Sequence, residues 1–175
     1  MNCMTPSVDA TGLRVAMVVS RFNHLISIRL IDGARKALVD HGLDPNDLTL
    51  FWVAGAFEIP QAARGLAESG RFDAIVTLGS VIRGGTPHFD YVCRGVTDGV
   101  REVMRASNVP VGFGVLTTDN IDQALARAGG SDGNKGGEVA LAAVEMARLL
   151  GNFEGNDSSN SPTGRRYAGT PGERL

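Results

Sequence analysis

The strongest constraint on this chain is a set of four short apolar runs separated by stretches with helical spacing. Arg14 to Ser20 reads RVAMVVS, and Leu48 to Val53, Ala74 to Ile82 and Val109 to Leu116 are of the same kind. Short valine-rich runs without polar alternation fit strands covered on both faces, as in parallel sheets. Between them, Leu30, Ala34, Ala37 and Leu38 recur at helix spacing, with Gly42 placed as a stop. Phe89, Val92, Cys93, Val96, Val100 and Val103 form a second stripe. A short segment from Ile121 to Ala128 and a longer helix from Lys135 to about Leu150 follow. Strands alternating with helices predict βαβ units with right-handed crossovers. The expected fold class is α/β, a three-layer sandwich around a four-stranded parallel sheet.

The last helix carries Val139, Ala142, Ala143, Met146 and Leu150 on one expected face, with Leu141 and Val144 pointing elsewhere. Apolar residues on more than one side suggest a second surface to cover, such as a neighbouring subunit. At 175 residues, with 43% hydrophobic and 21% charged, the chain suits one domain with a real core. Its formal charge of −2, with both signs interspersed, offers no grip on nucleic acid. No apolar run approaches the roughly 20 residues that span a bilayer, so no membrane partner is expected. Met1 to Thr11 lacks the basic start and apolar stretch of a secretory signal. Cys3 and Cys93 make no disulfide framework and read as free thiols in a reducing cytoplasm, Cys93 as a small buried apolar residue. Residues 1–12 are expected as a flexible segment and 13–153 as the domain. Residues 154–175 are expected as a disordered tail, because Gly, Ser, Asn, Pro and Arg there cannot offset their ordering entropy.

Ligands of open parallel sheets bind beyond the carboxyl ends of the strands. Three loops stand there: Ser20-Arg21-Phe22-Asn23, Gly55-Ala56-Phe57-Glu58-Ile59-Pro60, and Gly79 to His88. In the third, Gly84 and Gly85 let the backbone bend and expose N–H groups just before a helix beginning near Pro87. Such a turn suits an anion, and Thr86 adds a hydroxyl donor. Gly79-x-x-x-x-Gly84-Gly85-Thr86 falls short of a P-loop because glycine replaces the phosphate-reaching lysine. A single phosphate on a small substrate fits better than a nucleotide. His88 lies in the first helical turn, where the macrodipole favours neutral imidazole and a bound phosphate favours the cation. That balance suits proton transfer; capping or packing at a helix start is the plainer role. His24 and His41 have no such company and read as surface residues. Phe22 follows a buried strand, which favours core packing first and a stacking platform for a heterocycle second. Glu58 suits a helix start by its charge, or could accept hydrogen bonds from a polyol.

RFN at 21–23, GAFEIP at 55–60, GSVIRGGTPHFDYV at 79–92, FGVLT at 113–117, QALARAG at 123–129 and NKGGEVALAAVEM at 134–146 together resemble the lumazine synthase family. The resemblance runs in order from about residue 13 to residue 150. It implies a flavodoxin-like fold and the condensation of 5-amino-6-(D-ribitylamino)uracil with 3,4-dihydroxy-2-butanone 4-phosphate in riboflavin biosynthesis. By matching motif, Phe22 would stack on the pyrimidine, and Ala56, Phe57 and Glu58 would hold the ribityl chain and ring edge. Ser80, Val81 and Ile82 would contact the pyrimidine through their backbone. Gly85 and Thr86 would bind phosphate with help from Arg127, and His88 would move protons. Lys135 is a weaker candidate in the NKG block. Phe113 sits mid-strand and Arg127 beyond that strand, and the resemblance implies that both serve the site of an adjacent subunit in a pentamer or a shell of twelve pentamers. The uracil supplies its own amine nucleophile, so no activated side chain, metal or cofactor is implied. Two rivals are a non-catalytic flavin- or lumazine-binding or shell-forming protein of the same fold, and a flavodoxin-like electron carrier. The second lacks a Ser/Thr-rich first loop to cradle a flavin phosphate.

Overall fold

The structure is a computed structural model that describes residue 1, residues 3–5 and residues 7–157, with side chains to residue 153. The expected tail falls largely on residues 158–175, outside the described residues. Strands β1 (Val15–Ser20), β2 (Leu48–Val53), β3 (Ala74–Ile82) and β4 (Val111–Thr118) form one parallel sheet in the order β2-β1-β3-β4. Helices α1 (His24–Asp40), α2 (Ile59–Glu68), α3 (His88–Ala106), α4 (Ile121–Arg127) and α5 (Lys135–Asp157) cover it. This is the α/β three-layer sandwich that the alternation of runs predicts, and it is flavodoxin-like as the resemblance implies.

The two faces of β1 show why these runs had to be strands. Val15, Met17 and Val19 pack with Ile26, Leu30 and Leu38 of α1 and with Ala143 and Val144 of α5. Ala16 and Val18 pack the other way, with Ile59 and Ala63 of α2 and Val96 and Val100 of α3. Every residue of β1 is buried, so a polar residue at any position would sit in a core. β2 departs from its apolar reading because it is an edge strand: Leu50 and Trp52 stay over a third exposed, and the Trp52 ring lies tilted beside that of His24. Helix α2 was hard to see because two of its three buried positions are alanine, Ala63 and Ala67 beside Ile59. A small antiparallel pair, β5 (Ala128–Gly130) and β6 (Gly133–Asn134), is too glycine-rich to give a strand pattern.

The expected face of α5 needs correction. Ala140, Ala143 and Val144 are buried, whereas Ala142 is exposed and Met146 is 43% exposed. The helix turns its smallest face to α1 because the two backbones meet at glycines. A Cβ on Gly136 would collide with the Leu30 carbonyl, and one on Gly33 with the Asn134 side chain. Asn134 then caps α5 by accepting from Gly136 N–H (2.9 Å) and Gly137 N–H (3.3 Å), and donates to the Arg29 carbonyl (2.8 Å). At the opposite rim, Arg14 pairs with Asp73 through its backbone N–H (2.7 Å), Nε (3.1 Å) and Nη2 (2.9 Å), fixing the starts of β1 and β3. Cys93 is half-buried rather than buried, and both cysteines are free thiols.

Two measurements test this packing. Gly136→Ala gains roughly 1 kcal/mol of helix propensity, but its methyl meets a backbone carbonyl that cannot rotate away. Overpacking costs typically about 1–3 kcal/mol, so the denaturation midpoint is expected to fall; a rise would contradict the close crossing. The Asp73 carboxyl is held below its usual range, first by the hydrogen bonds from Arg14. A lowered folded pKa means that its stabilising contribution is present above about pH 4, the unfolded value, and is lost as pH falls through the folded value. Asp73→Asn is therefore expected to flatten the acid limb of the stability–pH curve, and an unchanged limb would refute that linkage.

Candidate active site

Strand order reverses between β1 and β3, because the chain leaves β1 toward β2 and later returns to its other side. The crevice at such a switch point is where this fold class binds ligands. A cleft of about 710 Å³ opens there, within the range of small-molecule sites. Its walls come from the ends of β1, β2 and β3 and from the first turn of α3.

The first wall is Phe22, on the turn between β1 and α1. Its ring is 73% exposed, so the core-packing reading fails and the face is open to the cleft. The second wall is the short 3-10 turn of Ala56, Phe57 and Glu58 after β2. Glu58 fills the helix-start role, since one oxygen accepts from Gly55 N–H (2.8 Å), and the residue also borders the cleft. Phe57 is exposed on one side and lies against α3 where Gly95 leaves room for its ring. The third wall is the end of β3. Ser80 is 2% exposed with its hydroxyl buried, so it meets the cleft through its backbone, beside the half-buried Val81 and Ile82.

The floor at the far end is the turn before α3. Gly84 and Gly85 have ordinary negative φ, and a Cβ on either would meet open space. The turn thus does not need glycine for its bend; what the missing side chains leave is room for a ligand to reach backbone N–H groups. Thr86 and His88 border the cleft, and His88 is the first residue of α3, exposed after Pro87. The N-terminus of α3, whose first turn leaves backbone N–H groups without helical partners, lies at this end of the cleft. Arg83 braces the turn from behind. Its Nε donates to Asp119 (2.9 Å), its Nη1 to Asp90 (3.4 Å), and its guanidinium lies 4.1 Å from the Phe89 ring centre. Its backbone N–H also donates to the Thr118 carbonyl (2.8 Å).

Phe22, Ala56, Phe57, Glu58, Ser80, Val81, Ile82, Thr86 and His88 therefore share one cleft, and Gly85 lies in the same turn between two of its lining residues. Phe113 and Arg127 do not border it. Phe113 is 37% exposed on edge strand β4, and Arg127 at the end of α4 pairs with Asp132 (3.2 Å) and donates to the Gln123 carbonyl (3.0 Å). Lys135 pairs with Glu138 (2.8 Å). Asn23, Phe89, Tyr91 and Val92 also line the cleft and were not singled out from sequence. The start of the α3 stripe was the available signal: Val96, Val100 and Val103 are buried, while Phe89 and Val92 lie only half-covered over the opening.

With that geometry, one comparison with known proteins is decisive. The family model described as 6,7-dimethyl-8-ribityllumazine synthase matches residues 12–151, and the chain belongs to that family.

Proposed function

We propose that this protein joins 5-amino-6-(D-ribitylamino)uracil to 3,4-dihydroxy-2-butanone 4-phosphate, giving 6,7-dimethyl-8-ribityllumazine with release of phosphate and water. The observation that carries this reading is the shared cleft, in which an open aromatic face, a carboxylate and a glycine turn leading to a threonine and a histidine converge. Phe22 stacks on the pyrimidine, and the backbone of Ser80, Val81 and Ile82 meets its polar edge. Ala56, Phe57 and Glu58 hold the ribityl chain, whose hydroxyls donate to the free Glu58 oxygen. The phosphate sits on Thr86 and the N–H groups around Gly85. Imine formation between the substrate amine and the ketone releases one water, elimination releases phosphate, and attack of the ribityl-bearing nitrogen on the remaining carbonyl closes the ring with loss of a second water, His88 moving the protons.

Charge argues for a second copy. Glu58 is the one carboxylate among the cleft residues, and no lysine or arginine stands with it. A helix N-terminus contributes only about half a positive charge, too little to balance a phosphate dianion. Arg83, the nearest guanidinium in sequence, is held by Asp119 and Asp90. The reading therefore takes Arg127, with Phe113, from a neighbouring protomer of a homopentamer or of a sixty-subunit shell. Exposed Leu25, Ile28, Leu50 and Trp52 supply apolar surface suited to such contacts. Residues 13–153 form the proposed catalytic unit, working in the cytoplasm.

Holding two reactants in register supplies roughly 7–11 kcal/mol, against about 10²–10⁴-fold from general acid–base catalysis. His88→Ala is accordingly expected to slow turnover markedly without abolishing it; background rates from a folded variant would show that positioning has been given too large a share. Incubation of the purified chain with both substrates is expected to produce lumazine fluorescence from a particle of at least five subunits. Tight lumazine binding with no product formed would instead identify a binding protein.

A further inference from the structure

The ring of Phe22 gains little from the core, so something other than packing must aim it. Three hydrogen bonds tie its turn to the neighbouring strands or their ends. Arg21 N–H donates to the Val53 carbonyl (2.9 Å) and Phe22 N–H to the Ala54 carbonyl (3.2 Å), both at the end of β2. The third runs the other way, from Asn23 Nδ2 to the Ser80 carbonyl (2.9 Å) on β3. It alone of the three ties the stacking ring's turn to the strand that meets the pyrimidine edge in the reading above.

Asn23 is unusual in two further respects. It stands in the left-handed region at φ 58, ψ 45, the only non-glycine residue with positive φ among the described residues. Asparagine is one of the few residues besides glycine that visit this region routinely. It is also the N-cap of α1, where its carbonyl accepts from Ile26 N–H (2.9 Å) and Ser27 N–H (3.2 Å). N-cap asparagines are favoured because the side chain caps the helix, yet here it makes no cap and reaches across the sheet instead. A cap bond has been given up for a bond that spans the switch-point crevice. Asn23 itself borders the cleft, so this bond lies at the wall between ring and strand.

We propose that Asn23 is a positioning residue: its left-handed turn and its amide bond to Ser80 hold the Phe22 ring at a fixed spacing from the end of β3, and so set affinity for the pyrimidine substrate. This rests on the activity proposed above. Asn23→Gly keeps the backbone freedom but removes the amide, while Asn23→Asp tolerates the same backbone and turns an acceptor toward the Ser80 carbonyl.

In the full-length chain, both variants are expected to raise KM for the pyrimidine by about three- to tenfold, the size of one net hydrogen bond. KM for the butanone phosphate should stay within about twofold, as expected for a contact remote from the phosphate end. Fluorescence titration with the lumazine product should show the same loss without turnover. With Phe22 already replaced by Ala, Asn23→Gly should add little further loss. Equal changes in both KM values, wild-type constants in both variants, or full additivity with Phe22→Ala would each overturn the proposal. An unaltered chain that neither binds lumazine nor forms it would overturn the assigned activity and this role together.

Discussion

The parallel register of β1 with β3 is the constraint on which the rest depends. Val15 to Val19 pair in step with Ala74 to Leu78, and Arg14 with Asp73 fixes the start of that register. Because the strands are parallel, both release their loops at the same rim. Because the chain leaves them in opposite directions along the sheet, a crevice opens between Phe22 and the end of β3. A slip of one residue would turn every side chain of β1 to the opposite face. Met17, now against α1, would then meet the α2–α3 layer, and the cleft would lose its geometry along with its core.

The two helical layers have different duties. α1 and α5 are locked by glycines and by the Asn134 bridge, which leaves little freedom at that face. α3 is packed tightly only beyond its first turns, where Val96, Val100 and Val103 are buried. Its beginning stays open to solvent with Thr86 and His88 at the border of the cleft. Rigid scaffold and accessible site are thus segregated along the same rim, as function on loops over a fixed sheet requires.

Most of the fold was legible because burial on both faces leaves an unmistakable trace. RVAMVVS and AIVTLGSVI allow few other readings. What escaped depends on tertiary choices. Composition does not say which strand becomes an edge, so the exposure of Leu50 and Trp52 was hidden. The outward turn of Met146 follows from glycine contacts between α1 and α5, which are distant in sequence. The site loops were legible from topology and motif together. Phe22 looked like core because its exposure depends on the left-handed turn at Asn23, and an asparagine permits that turn without requiring it. Phe113 and Arg127 could be given a role only through family resemblance, and the single chain keeps both away from its own cleft.

On the proposed reading, one chain carries an incomplete site finished by its neighbour. Refolding an equal mixture of two full-length variants tests it most directly, one impaired in the cleft (Glu58→Ala with His88→Ala) and one lacking the donated cation (Arg127→Ala). Around a head-to-tail ring, random mixing pairs an intact cleft with an intact arginine at about a quarter of the sites. Activity well above the average of the two parents is expected. A mixture no more active than that average, in assemblies shown to contain both chains, would contradict the shared site.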